Sequence, residues 1–275
     1  MKPYCLLFVS ALLFAACKPN SGIQNQTPVA SKTIDTVIVD SWKKFYDSIG
    51  IQGCFVLYSP TDSTVRVFNP ERAATRYTPA STFKIFNSLV ALETGVIKDT
   101  NEIIKWDGEK RGNENWNKDM NLKEAFRVSC VPCYQELARR AGQTRMQHWL
   151  DTVGYGNKVT TPNIDDFWLE KGLEISPYEQ IAFLERLYNN ALPFSSKTMN
   201  TVKEVMLVQN VPYTMRAKTG WGLRVENSTG WYVGWVEKDG KPYFFANNIE
   251  FSKDNLVHSR IEISLAILRA EGIIK

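Results

Sequence analysis

Segments that read as β-strand sit near the two ends of the chain, and a long stretch of helical pattern lies between them. Gly53 to Tyr58 and Thr64 to Phe68 are rich in β-branched and aromatic residues and flank Ser59-Pro60-Thr61-Asp62, which predicts a hairpin. After Pro212 the same texture returns in Tyr213 to Thr219, Trp231 to Glu237 and Tyr243 to Ile249, the last two joined by Lys238-Asp239-Gly240-Lys241. Between these groups, apolar residues recur at helical spacing over 82–93, 122–128, 134–141 and 146–153, punctuated by Gly95, Pro132 and Gly142. Ser176-Pro177-Tyr178-Glu179 unites a capping box with proline at the first helical position, and Ile261 to Ala270 closes the chain as a helix. Strands gathered at both ends around helices predict an α+β fold: an antiparallel β-sheet from 51–70 and 212–250, flanked by terminal helices, with an inserted all-helical region over about 71–208. The segment from Gly154 to Ile175 has no period, and loops of that length inside a domain are usually functional.

With 275 residues, 44% hydrophobic and 23% charged, the chain can bury one large core, and its composition argues against a disordered or collagenous protein. A net charge of +4 without a basic block leaves no electrostatic footprint for nucleic acid. The two histidines, His148 and His258, are far apart and lie in no metal-ligand or triad pattern, so neither a metal site nor Ser-His-Asp chemistry is expected. Residues 1–16 read as a signal peptide, with Lys2 ahead of a short apolar run. The run ends Phe14-Ala15-Ala16-Cys17, which resembles the lipobox of bacterial lipoproteins with Phe14 in place of Leu; the alternative is a plain signal peptide cut near Ala16. Cys17 is then the lipid anchor, 17–34 a polar tether and 35–275 the folded domain, exported to the periplasm and touching the membrane only through the anchor. Cys54, Cys130 and Cys133 remain, an odd number that suggests no disulfide framework; Cys130-Val-Pro-Cys133 is read as small apolar residues at a helix start.

A nucleophilic serine needs a base in reach, and lysine at i+3 can supply it. Ser41-Trp-Lys-Lys44 and Ser81-Thr-Phe-Lys84 both fit, but only the second follows Pro79-Ala80 and opens an apolar helix. Lys218-Thr219-Gly220 ends a predicted strand; a lysine and a hydroxyl there can hold a carboxylate, and Gly220 lets a substrate approach the strand edge.

Ser81-x-x-Lys84 ahead of Lys218-Thr-Gly220, with helices between, resembles the penicillin-recognising serine enzymes. Pro79-Ala-Ser-Thr-Phe-Lys84, Ser129-Cys-Val131, Tyr155-Gly-Asn157, Phe167-Trp-Leu169, Lys218-Thr-Gly-Trp221 and Trp231-Tyr-Val-Gly-Trp-Val-Glu237 are similar to class D β-lactamases, the oxacillinase family. That resemblance implies hydrolysis of β-lactam rings, with Ser81 as nucleophile and Lys84 carboxylated by CO₂ or bicarbonate to serve as base, and no other cofactor. It further implies a pocket for the carboxylated lysine lined by Val131 and Trp168, and an oxyanion hole from the backbone N–H groups of Ser81 and Trp221. Ser129 and Lys218 would relay a proton, and Thr219, Gly220 and Arg260 would bind the substrate. No Ser-Asp-Asn occurs, so the apparatus of class A enzymes is not visible, and Cys130 and Cys133 depart from the class D pattern. Two readings with the same motifs stay open: a penicillin-binding sensor domain that keeps the acyl group, and a cell-wall D,D-peptidase. The assembly is expected to be a monomer or homodimer.

Overall fold

The computed structural model describes residues 33–170, 172–222, 228–251 and 254–275; the signal-peptide and Cys17 readings lie outside them. The first part of the described chain holds β1 (Asp35–Ile38), α1 (Lys43–Asp47), the hairpin β2 (Gln52–Ser59) and β3 (Thr64–Phe68), and α2 (Pro70–Ala74). The helical region follows, with α3 (Lys84–Glu93), the short pair β4 (Ile103–Ile104) and β5 (Met120–Asn121), then α4 (Leu122–Arg127), α5 (Val131–Ala141), α6 (Gln143–Val153), α7 (Pro177–Tyr188) and α8 (Ser196–Val205). The chain returns to the sheet with β6 (Leu207–Gln209), β7 (Thr214–Gly222), β8 (Thr229–Lys238) and β9 (Lys241–Glu250), and ends in α9 (Ser259–Ala270).

The seven sheet strands lie in the order β1-β3-β2-β9-β8-β7-β6, so the hairpin from one end of the chain pairs directly with the strands from the other. Both faces are covered over the central strands β2, β8 and β9, where successive side chains point to opposite faces and are buried on either side. Trp231, Val233, Trp235, Phe244 and Ala246 face the helical region, meeting Phe83, Phe86 and Leu89. Phe55, Leu57, Tyr232 and Phe245 face the opposite way, onto Trp42, Tyr46 and the α9 residues Ile263, Ile267 and Leu268. Each fully buried large apolar side chain of this kind contributes about 1.5–3 kcal/mol. The capping box of α7 forms as its sequence predicts: Glu179 N–H donates to Ser176 Oγ at 3.2 Å, and Ser176 N–H to the Glu179 carboxylate at 2.9 Å.

The structure corrects four expectations. The region over about 71–208 is not all-helical, because β4 and β5 pair within it as a separate two-stranded sheet. The sheet is not wholly antiparallel, because β1 joins β3 in parallel, and it reaches beyond 51–70 and 212–250 through β1 and β6. All four β1 residues are exposed, so no burial alternation marked them as a strand. Helix α5 begins at Val131, three residues ahead of its predicted start. Finally, Cys130 and Cys133 form a disulfide, with Cα atoms 5.4 Å apart; spacing of i to i+3 around a helix start brings two Cβ atoms within bridging range. Cys54 is free and buried.

Candidate active site

Ser81 is carried by a 3₁₀ turn, Ala80–Phe83, that runs into α3. In a 3₁₀ turn side chains three apart eclipse one another, which sets Lys84 directly beside Ser81. Ala80 is left-handed, at φ 48°, an unusual conformation for a residue with a Cβ. The surroundings fix it. Thr82 Oγ1 donates to Pro79 O at 2.8 Å and accepts from Gln180 Nε2 at 2.9 Å. Trp231 Nε1 donates to Thr78 O at 2.9 Å, while Thr78 Oγ1 donates to Glu170 O at 3.0 Å, tying the aperiodic 154–175 segment to the turn. Gly220 on β7 lies against the same turn, where an added Cβ would stand 2.9 Å from Pro79 O. The glycine therefore permits close packing of the strand on the turn that carries Ser81, a need its sequence context did not reveal. Ser41, of the competing pair, is exposed on the short turn before α1.

Lys84 Nζ donates to Ser81 Oγ at 2.8 Å. Its side chain is fully buried, with the ring of Tyr134 5.2 Å from Nζ. Burial, reinforced by the charge of Lys218, holds the amine well below the usual lysine range. An ordinary lysine near 10.4 would be almost wholly protonated at pH 7 and useless as a base; the lowered affinity of this one for its proton favours the reverse contact, nitrogen accepting the hydroxyl proton.

Across the cleft, Lys218 Nζ donates to Ser129 Oγ at 3.1 Å, to Thr219 O at 3.1 Å and to Thr219 Oγ1 at 3.3 Å. Burial, and secondarily the Arg260 guanidinium, lowers Lys218 to about 7. Ser129 is itself left-handed, at φ 55°, in the turn between α4 and α5. Arg260, on the first turn of α9, is buried, donates through Nη1 to Val257 O, and has a buried Nε without a partner. A cavity of about 540 Å³ opens beside Lys218 and Thr219 and runs along Phe126, Leu207, Val208 and Ile261.

Trp168 is fully buried and stacks on Phe83, the residue preceding Lys84, at 5.2 Å between ring centroids. Its indole Nε1 has no hydrogen-bond partner. A buried donor left unmet costs about 1–3 kcal/mol, so this one fits an acceptor that the amino acids alone do not supply. Val131, half-buried at the start of α5, packs on the same core. Trp221 follows Gly220 at the end of β7, its ring near Phe251 at 6.5 Å. The structure thus brings Ser81 to Lys84, and Ser129 to Lys218 and Thr219, as expected. Sequence reasoning missed the aromatic faces of Tyr134 and Phe126, the latter ring 5.5 Å from Lys218 Nζ; their spacing is that of any core aromatic. Among the described residues, no group of three His, Cys, Asp or Glu is placed to hold a metal ion.

Residues 53–269 match the family described as the penicillin binding protein transpeptidase domain. The chain is 44% identical over 238 residues to β-lactamase OXA-5 of Pseudomonas aeruginosa, spanning 85% of this chain and 89% of that one. To β-lactamase OXA-48 of Klebsiella pneumoniae it is 43% identical over 235 residues, with the same shares. Among solved structures it resembles FUS-1 (OXA-85), a class D β-lactamase of Fusobacterium nucleatum subsp. polymorphum, with a TM-score of 0.84 and 37% identity over 86% of this chain and 99% of the other. The class D β-lactamase YbXI from Nostoc gives 0.82 and 42% over 84% and 98%. Relatives this similar, matched over nearly the whole of the domain that holds the serine and two buried lysines, put the chain in the class D β-lactamase family of serine hydrolases.

Proposed function

We propose that this chain hydrolyses the β-lactam ring of penicillins and related antibiotics through an acyl-enzyme on Ser81, conferring resistance. The observation that carries this reading is the fully buried Lys84 amine 2.8 Å from Ser81 Oγ. The Lys84 side chain takes the Ser81 proton as Oγ attacks the lactam carbonyl. The ring C–N bond then breaks, and its nitrogen takes a proton relayed by Ser129 from Lys218, which near neutral pH exchanges readily between its two forms. Backbone N–H groups of Ser81 and Trp221 hold the developing oxyanion, at about 3–4 kcal/mol per donor. Thr219 and Arg260 hold the substrate carboxylate. Lys84 gives up its first proton, which makes good the one Lys218 lost; water then attacks the ester, giving its proton to Lys84, which passes it to Ser81 Oγ as the acyl C–O bond breaks and the ring-opened acid leaves.

Two observations support carboxylation of Lys84 by CO₂ or bicarbonate: burial lowers the amine's hold on its proton, favouring the neutral form that addition requires, and Trp168 Nε1 is a buried unmet donor on the ring stacked against Phe83, the residue before Lys84. The carboxylated lysine would supply an anionic base, with Trp168 and Val131 enclosing it. The N-terminal sequence supports export to the periplasm and a lipid on Cys17.

The test is hydrolysis of a penicillin with and without added bicarbonate, beside intact-mass analysis. Many turnovers per enzyme, stimulated by bicarbonate, are expected, and Ser81→Ala should give no covalent adduct. Stoichiometric opening alone would make the chain a sensor, turnover of D-Ala-D-Ala peptides would make it a cell-wall peptidase, and an adduct persisting in Ser81→Ala would move the nucleophile.

A further inference from the structure

The mechanism leaves the Cys130–Cys133 disulfide unused, although it begins one residue after Ser129. Ser129 must hold a left-handed backbone, which a side chain with a Cβ resists, while keeping Oγ on Lys218 Nζ at 3.1 Å. On its N-terminal side the turn is well tied: Ser129 N–H donates to Phe126 O at 3.1 Å, Cys130 N–H to Ala125 O at 2.8 Å, and Trp116 Nε1 to Val128 O at 3.1 Å. On its C-terminal side the ties are longer: Tyr134 N–H reaches Cys130 O at 3.4 Å, the Cys130 side chain caps α5 only through sulfur, which accepts from Cys133 N–H at 3.2 Å, and Pro132 has no N–H to give. A serine, aspartate or asparagine cap would close this first turn with oxygen; here the covalent bridge closes it.

We propose that the Cys130–Cys133 disulfide is a positioning device for hydrolysis, holding the start of α5 so that Ser129 stays on Lys218. This rests on the reading of Ser129 and Lys218 as the proton relay. Cys130 is fully buried, but Cys133, 8% exposed, lines a cavity of about 430 Å³ shared with Trp106, Trp116, Pro132 and Glu136, so a small reagent's route to the bridge runs through Cys133. Reduction by dithiothreitol balances: the disulfide takes up two electrons and two protons and becomes two thiols, while the two thiols of the reagent close into its own cyclic disulfide. Cys54, the free buried cysteine, takes no part.

The test uses the full chain, oxidised or reduced, with the thiol count read by intact mass and the fold by circular dichroism well below the melting temperature. On reduction, kcat for a penicillin should fall about tenfold with KM changed less than twofold and the dichroism unaltered, and reoxidation should restore it. Cys130→Ala/Cys133→Ala should be slow under both conditions, and Cys54→Ala should respond like the wild type. Because the bridge acts through Ser129, reduction should cost Ser129→Ala less than twofold further. Full activity in the reduced wild type, or an equal tenfold loss in Ser129→Ala, overturns the proposal. If instead Ser129→Ala hydrolyses penicillin at the wild-type rate, it is the relay reading that fails.

Discussion

Replacing Trp168 with phenylalanine separates the two jobs its side chain can do. Phenylalanine keeps an aromatic ring to stack on Phe83 and to meet Phe167 edge-on, but it removes the one buried N–H in this wall that has no partner. If that N–H donates to carboxylated Lys84, the lost bond is one to a charged acceptor, worth about 1.5–3 kcal/mol, and the bicarbonate needed for half-maximal activity after CO₂ stripping should rise about tenfold to more than a hundredfold. The same shift is visible without turnover. At a bicarbonate concentration one hundred times its dissociation constant, the wild type gains about 2.7 kcal/mol of stability, whereas the variant should gain about 0.4–1.4 kcal/mol. Carbon-13 NMR with labelled bicarbonate gives a third reading, a carbamate signal that saturates later in Trp168→Phe and is absent in Lys84→Ala. Equal half-saturation in wild type and variant would refute the reasoning and reduce Trp168 to core packing.

Lys218 is lowered by burial to about 7, so between roughly pH 7 and 10 the unfolded chain holds a proton there that the folded one has lost, and stability from this group rises with pH. Lys218→Met should accordingly melt above the wild type at pH 7, with the gap narrowing toward pH 10; a constant gap would deny the shift. Arg260→Ala should lower kcat/KM for a penicillin by about tenfold to more than a hundredfold yet leave a carboxylate-esterified penicillin about equally hydrolysed by both enzymes, and equal impairment on the two substrates would make Arg260 structural. Gly220→Ala places a Cβ 2.9 Å from Pro79 O and must push β7 off the nucleophile turn, so kcat should fall by about tenfold or more with the fold retained; an unchanged kcat would show that the turn yields without moving Ser81.

Much of the scaffold was readable because single residues forced it. Proline and the paired Ser176 and Glu179 leave little choice about where α7 begins, and the short apolar, aromatic-rich run from Trp231 to Val236 suits a strand buried on both faces. The site was readable for a different reason: Ser81 and Lys84 are three apart on one turn, so local geometry alone brings them together. Contacts across the chain had no such signal. Lys218 meets Ser129 only because the sheet returns beneath the helices, and Ser129 was singled out by its resemblance to a family motif, not by spacing. The disulfide was missed because a lone C-x-x-C among an odd number of cysteines was read as apolar packing at a helix start rather than by the reach of two Cβ atoms on a first helical turn. Strand β1 was invisible because nothing about an exposed edge obliges it to alternate.

The centre of the sheet joins the two ends of the described chain. Strand β2 lies beside β9, with Gln52 opposite Glu250 and Tyr58 opposite Phe244, and every helix from α2 to α8 is strung between them. Contacts this distant in sequence form late, and until β9 exists the β2–β3 hairpin waits with one edge open. Ser81 and Lys218 both lie within the stretch between β2 and β9, near its two ends. A growing polypeptide that stops before β9 lacks the one strand that pairs with both β2 and β8, so it leaves open two sheet edges that are paired in the folded chain.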